Sequence, residues 1–301
     1  MSLAALDVVG TPSWFYDLVA AIVGACLGSF LNVVIVRLPA GQSIVRPGSH
    51  CACGAPIRWY DNLPLFSWLA LRGRARCCGI RISARYPLVE VLTAGFFLAC
   101  WLRLPTGPAI CGWVFGSALI AASFIDFDHL MIPELLTTGL GLLGLALSFA
   151  VPALHGRVGD VFLLDAIRSE AAAVQGLLIG SGLVLWIAVV AEAVLKKEAM
   201  GMGDVIFAGA IGTFCGWHGA LFAVFGGAAV GAVGLPIALL YRAAFGRPKK
   251  LPAQNAPAEE EGTGLQRQVP FGPMLAIAAA LYLLWLHPAV DAWFHQVSAL
   301  F

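Results

Sequence analysis

Eight long, nearly uncharged apolar runs dominate this chain, and they leave it few folds to choose from. The runs are Phe15 to Val36, Tyr86 to Leu104, Ala109 to Ile125, Leu135 to Val151, Val174 to Leu195, Val205 to Trp217, Ala220 to Tyr241 and Phe271 to Leu286. A helix needs about 20 apolar residues to cross the hydrocarbon layer of a bilayer, and most of these runs have that length. The sixth is short and Gly-rich, and its boundary with the seventh is not sharp. Sixty per cent of the 301 residues are apolar and 12% are charged, and the mean hydropathy is +0.86. A soluble core and a wetted surface cannot both be built from that mixture. The sequence therefore predicts an all-α polytopic membrane protein of about eight transmembrane helices. The N-terminus lacks the basic start of a secretory signal peptide and shows no convincing cleavage site, so the first run reads as a retained helix.

Two segments stand apart from the runs. Arg37 to Arg85 holds Pro39, Pro47, Pro56, Pro64 and four cysteines, too much for a simple turn, and is expected to form a small cysteine-containing loop subdomain. Arg242 to Gln268, with Glu259, Glu260 and Glu261, reads as a flexible loop. The chain divides accordingly into a first helix (1–36), the loop subdomain (37–85) and a seven-helix membrane domain (86–301) carrying the loop at 242–268. There is no internal repeat at a fixed period.

Charge matters here by placement. A net charge of +1 lacks the broad positive excess that phosphate binding needs, so no nucleic-acid partner is expected. Cytoplasmic loops retain Lys and Arg. Arg37, Arg46, Arg58, Arg72, Arg74, Arg76, Arg81 and Arg85 lie in the first loop, Lys196 and Lys197 follow the fifth run, and Arg242, Arg247, Lys249, Lys250 and Arg267 follow the seventh. Only Arg103, Arg157 and Arg168 fall elsewhere. Eight alternating crossings place all three basic loops on one side, so charge and span count agree on a cytoplasmic assignment for the loops at 37–85, 196–204 and 242–268.

In this orientation the third run travels inward and ends at Asp126, and the sixth travels outward and begins at Asp204, so both carboxylates reach the same cytoplasmic depth. Charged residues inside a bilayer cost on the order of 2.5 to 3.5 kcal/mol at its centre and persist where they have work to do. Two carboxylates sharing a partly dry pocket cannot both ionise cheaply, so one keeps a proton, as in an aspartic-protease dyad. Gly201 and Gly203 would let the backbone approach the dyad or an extended substrate. Asp126 and Asp128, two apart, point to nearly opposite faces of a helix, and spacing does not say which of them joins Asp204. Asp128 and Glu134 are candidates for contact with a basic substrate segment. The competing reading is a transporter using the acidic pair as a proton or ion site, but such sites lie near mid-bilayer, often within inverted repeats.

Six groups of residues, in order along the chain, resemble the bacterial type IV prepilin peptidases, also called leader peptidase and N-methyltransferase. They are Gly28 to Asn32 with Arg37-Leu-Pro39, Tyr60 to Pro64 with Ser67-Trp68, Arg85 to Glu90, Ile125-Asp126 with Ile132-Pro133, Gly201 to Asp204, and Pro270 to Pro273. The resemblance implies a bacterial inner-membrane enzyme with its site at the cytoplasmic face and with Asp126 and Asp204 as the catalytic pair. It implies type IV prepilins and type II secretion pseudopilins as substrates, cut after a short basic leader, and membrane lipid as surroundings. It further implies methylation of the new N-terminal residue with S-adenosylmethionine; Glu90 would then either anchor the interface or line the methyl-donor site.

The sequence departs from the family in three places. Ile206 stands where a Lys commonly follows the G-x-G-D aspartate, and Glu134 replaces an Asp. The family loop carries two C-x-x-C pairs, a zinc spacing, whereas this one reads Cys51-Ala-Cys53 and Cys77-Cys78, with Ala75 where a third cysteine is usual. In a reducing compartment these four are expected to be zinc ligands or free thiols, while Cys26, Cys100, Cys111 and Cys215 are expected to pack in the lipid phase.

Overall fold

The structure is a computed structural model and describes residues 13–196, 200–245 and 270–298. Lys197, Arg247, Lys249, Lys250, Arg267 and the Glu259 to Glu261 run lie outside the described residues. Its helices are α1 (Ser13–Arg37), α2 (Phe66–Ala70), α3 (Arg85–Arg103), α4 (Thr106–His129), α5 (Glu134–Ala150), α6 (Phe162–Leu195), α7 (Met202–Phe245), α8 (Gly272–Leu281) and α9 (His287–Ser298). A π-helical turn, Tyr282–Leu286, joins the last two. Among the described residues there is no strand, only two isolated bridges in the loop subdomain. Among the described residues, six helical segments are long and apolar enough to cross a membrane, and α5 is a shorter apolar helix. The protein is a multi-pass all-α membrane protein.

The sixth and seventh runs form the single element α7, and Gly216 divides it. Its backbone, at φ +66° and ψ −176°, lies in a region that essentially only glycine enters. The neighbours of α6 show what the break does. Gly176 sits against Gly212 and Gly216, and one turn further along Gly180 sits against Ala208 and Ala220. Residues before and after the break thus recede from it along the same stretch of α6, so the two arms of α7 run antiparallel. Counted separately, the two arms correspond to the sixth and seventh apolar runs of the sequence. A broken helix needs other partners for its backbone groups. The Thr213 carbonyl, which a continuous helix would bond to residue 217, instead lies 3.1 Å from both Ser148 Oγ and His155 Nε2.

The first arm of α7 occupies the middle of the bundle, with Val205, Phe207, Ala208, Ala210, Ile211 and Phe214 all buried. Small residues allow this. A Cβ on Gly176 would fall 2.1 Å from the Gly212 carbonyl oxygen, and the reverse contact is equally short. Helices in lipid gain no hydrophobic drive from meeting one another, so such backbone-to-backbone approach carries the packing. The outward face of α6, including Trp186, Val190 and Val194, is exposed, as a lipid-facing surface is.

Three boundaries differ from expectation. The helix expected from Val174 begins at Phe162, because Asp165 and Ser169, which lower its hydropathy, are satisfied by Gly159 N–H and the Ser148 carbonyl. The loop expected from Arg242 begins later, since α7 runs to Phe245. The last helix continues past Leu286 into α9, whose start binds back through Asp291, an acceptor for Tyr282 Oη and a partner of His218 at 2.9 Å.

Candidate active site

The C-terminal end of α4, the first turn of α7 and the start of α8 converge at one end of the bundle. Asp126, in the last turn of α4, is 5% exposed and accepts a hydrogen bond from the Gly272 N–H at 3.0 Å through Oδ2. Asp204 lies in the first turn of α7, and the Asp126 carboxylate is near enough to act on it electrostatically. Ile132 links the two sides: it lies 3.7–3.8 Å from where a side chain on Gly203 would begin, and its Cδ1 lies 2.9 Å from the same point on Gly272. A buried carboxylate on α4 and a half-buried one on α7 therefore approach one another beside the Gly272 N–H and the Ile132 side chain.

Asp128 does not join them. It is exposed and pairs with Arg85, which also donates to the Phe124 carbonyl at 3.2 Å and places its guanidinium 5.0 Å from the Phe124 ring centre. One arginine at the head of α3 thus grips the last turn of α4, the turn that carries Asp126. Glu134 is exposed in the first turn of α5, where a carboxylate also suits the helix dipole. Neither Gly201 nor Gly203 is required by packing, since a Cβ there would meet nothing closer than 4.0 Å and 3.7 Å; the space at their α-carbons is open. Around the pocket stands a rim of exposed apolar side chains, Phe127, Leu130, Met131, Leu135 and Met202.

Glu90 lies apart from the pair, on α3. It is 7% exposed and accepts hydrogen bonds from the Leu65 N–H at 2.8 Å and from the Ser29 hydroxyl. Asn32 of α1 reaches the Tyr86 carbonyl at 3.1 Å, so the α1 and α3 motifs tie these helices and the loop subdomain together.

In that subdomain two tight turns bring the cysteines to a point. The Gly54 N–H returns to the Cys51 carbonyl and the Gly79 N–H to the Ala75 carbonyl, each glycine at positive φ. The Cys51 and Cys78 sulfurs are 3.5 Å apart and those of Cys53 and Cys77 3.4 Å, and all four lie within 4.8 Å of one another. Zinc with four sulfurs at about 2.3 Å sets them roughly 3.8 Å apart, so the set fits a tetrahedral site despite its unusual spacing. A backbone hydrogen bond from Cys53, with further ones from Cys77 and Cys78, brings the Cys51 thiol down to about 7. Hydrogen bonds with Cys51 and Cys53 push Cys77 up to about 12.

The sequence motifs named every acidic member of this site but missed Gly272, Ile132 and Arg85 as its supports. The motifs Pro270 to Pro273, Ile132-Pro133 and Arg85 to Glu90 were the available signal, and only the packing of the helices turns them into neighbours of Asp126.

Residues 22–104 match the bacterial peptidase A24 N-terminal domain, and residues 113–236 match the type IV leader peptidase family. The first match holds Glu90 and the four clustered cysteines; the second holds Asp126 and Asp204. The prepilin leader peptidase/N-methyltransferase of Myxococcus xanthus (strain DK1622) is 36% identical, over 93% of this chain and 95% of its own. That of Aeromonas hydrophila is 33% identical over 93% and 94%. The type 4 prepilin-like proteins leader peptide-processing enzyme of Escherichia coli O78:H11 is 40% identical over 65% and 76%. No solved structure gives a significant match. With a catalogue of motifs spread over most of the chain and relatives of nearly its full length, the chain belongs to the type IV leader peptidase family.

Proposed function

We propose that this protein is a membrane aspartic endopeptidase that removes the basic leader of type IV prepilins and type II secretion pseudopilins, with Asp126 and Asp204 as its catalytic pair, and then methylates the new N-terminus. What supports the reading is the approach of these two carboxylates, the buried Asp126 on α4 and the half-buried Asp204 on α7, close enough to act on one another electrostatically. The ionised carboxyl takes a proton from water as the water attacks the scissile carbonyl, and the protonated one donates to the carbonyl oxygen. The Gly272 N–H holds Asp126 in one orientation. A prepilin offers a basic leader followed by an apolar helix. Glu134 suits the leader, and the rim of Phe127, Met131, Leu135 and Met202 suits the helix. The excess of basic residues in the loops at this end of the bundle supports a site at the cytoplasmic face of the inner membrane.

Purified protein incubated with a prepilin peptide and S-adenosylmethionine, with products weighed by mass spectrometry, tests both halves. The expected product is the shortened peptide carrying one added methyl group. An uncut peptide in the presence of folded protein would overturn the peptidase reading.

Arg85 positions the last turn of α4, so its loss should loosen Asp126 without removing any reacting group. Arg85→Met is expected to lower cleavage roughly fivefold to tenfold, matching about 1 kcal/mol for a half-exposed pair, with Arg85→Lys between it and wild type. Asp128→Asn should cost less than Arg85→Met, because the contacts to Phe124 remain. Cleavage rates of the three variants check the order, and a catalytic loss at Asp128 as deep as at Asp126 would contradict it.

Cys51, Cys53, Cys77 and Cys78 would hold a single zinc that staples the loop subdomain; bound there, the metal supplies structure and leaves no open position for substrate. A loop of this size with few buried apolar residues has little else to order it. Elemental analysis of purified protein is expected to give about one zinc per chain, falling on acidification because the thiols must lose protons to bind it. A content below about a tenth of an equivalent at neutral pH would contradict the site.

A further inference from the structure

The motif Tyr60 to Pro64 with Ser67-Trp68 has no part in the carboxylate pair or the cysteine cluster. It folds into a short turn of 3-10 helix, Trp59–Asn62, followed by α2, and no residue of either element is buried. Trp59, Phe66 and Leu69 are 79%, 77% and 66% exposed. Phe66 and Leu69, three apart, share one face of α2. Trp68 turns the other way, donates to the Ile82 carbonyl at 3.3 Å and packs on Gly73. Large apolar side chains gathered on a surface call for a cover.

The depth of the segment says what covers it. Leu65, just before α2, donates its N–H to the Glu90 carboxylate, and Glu90 stands five residues past the head of α3 at Arg85, roughly 7 Å along the axis. On the other side, Asn62, Leu63 and Pro64 share a half-open cavity with Ser29 and Phe30 of α1. Ser29 lies eight residues short of the end of α1 at Arg37, roughly 12 Å. The chain therefore leaves α1 and dips back inside the ends of both spanning helices before it starts α2. At that level Phe30 of α1 and Leu88, Val91 and Leu92 of α3 are exposed, as lipid-facing residues are. Backbone that enters a bilayer must have its polar groups satisfied. Here Pro64 has no N–H, Leu65 uses Glu90, and the Phe66 and Ser67 N–H groups return to the Pro64 and Leu63 carbonyls.

The charges around this segment are of one sign. Between Leu38 and Ala84 there are six arginines and a single acid, Asp61, which pairs with Arg76. Arg74 and Arg81, both exposed, stand opposite one another in an antiparallel bridge. The flanking bonds, Ala75 N–H to the Ile80 carbonyl and Ile82 N–H to that of Gly73, make it the closer kind of cross-strand pair, in which like charges repel unless an anion joins them. Arg74 follows α2 directly, after the tight turn at Leu71 to Gly73.

We propose that the loop subdomain is seated on the lipid leaflet at this end of the bundle, with α2 lying in the headgroup layer, Phe66 and Leu69 reaching the acyl chains, and Arg74 and Arg81 holding the phosphate of an anionic phospholipid. An apolar face beside basic residues is the pattern of a helix that lies in the membrane interface, and arginines near an anionic leaflet add to its hold. Cys77 and Cys78 belong to the same hairpin as Arg74 and Arg81, so the seat also fixes where the cysteine cluster stands relative to the membrane.

The test places p-benzoylphenylalanine at position 66 of the full-length protein, reconstituted into nanodiscs of phosphatidylcholine alone or mixed with an equal part of phosphatidylglycerol. On irradiation the expected adduct, identified by mass, is one phospholipid on the chain. Adducts to a second copy of the chain or to an added prepilin peptide in place of lipid, or no adduct at all, would overturn the seat. Hydrogen exchange of residues 60–74 in the same discs tests the arginines, with α3 as internal reference. Exchange should be about tenfold slower with phosphatidylglycerol than without it. Arg74→Gln combined with Arg81→Gln should erase that difference, and dissolved glycerophosphate should not reproduce it. Phe66→Ser combined with Leu69→Ser should lose protection in both membranes while α3 keeps its own. Equal exchange in the two membranes, or a difference that survives the loss of both arginines, would overturn the phosphate contact, and unchanged protection in the Phe66 and Leu69 variant would place α2 away from the bilayer.

Discussion

Asp126→Asn and Asp204→Asn are each expected to reduce leader cleavage by about a thousandfold or more while the protein still inserts and folds, a loss within the range for removing general acid–base catalysis. Acid–base exchange needs one ionised and one protonated carboxyl, and an amide can be neither. It nearly matches the carboxyl in size, and at position 126 it can still accept the Gly272 N–H. The local fold should therefore survive the change that ends the chemistry. Methylation of a peptide supplied already cleaved should continue in both variants, since an amide at either position removes only the acid–base group of the cleavage step. Cleavage near the wild-type rate in either variant, with normal membrane insertion, would remove the dyad as the source of activity.

An equally large effect, of a different kind, is expected at the seam between α6 and α7. Gly176→Leu would bring a Cβ within 2.1 Å of the Gly212 carbonyl oxygen, and the obstacle is backbone, which cannot swing aside. The two helices must separate, and the first arm of α7 carries Asp204 at its head. Overpacking of a tight interior costs about 1–3 kcal/mol and sometimes more, and a backbone collision belongs at the upper end. The variant should fail to accumulate as a monodisperse species when extracted in detergent, and what remains should be inactive. Gly182→Ala is the control, because nothing lies within 4 Å of a Cβ at that helical position. Size-exclusion profiles of fluorescently tagged variants check the pair, and a normal profile for Gly176→Leu would contradict the packing described here.

Hydropathy made the helices legible because the bilayer demands the same thing of each of them. The failures came where polar residues have partners. The first twelve residues of α6 looked like loop because Asp165 and Ser169 are polar, yet both are satisfied within the bundle. Between the sixth and seventh runs the sequence offered only a blurred boundary, since a single glycine at positive φ makes the reversal with no polar linker to announce it. At the site, charge placement and helix direction brought Asp126 and Asp204 to one depth, but spacing alone left Asp126 and Asp128 equivalent. Packing separates them, burying one beside Gly272 and handing the other to Arg85. The cysteines show the opposite limit. Their spacing departs from the family pattern, yet two glycine turns gather all four sulfurs within 4.8 Å, which no count of intervening residues reveals.

If Asp126 and Asp204 act as one unit, combining their substitutions should reveal it. Residues that work together are strongly non-additive. Cleavage of a prepilin in membranes should be compared for wild type, Asp126→Asn, Asp204→Asn and the combined variant, with equal amounts of inserted protein. The double variant should be no slower than either single one. Substantial activity in a single variant, or a double variant slower by the product of the two separate losses, would show that the carboxylates do not share one reaction.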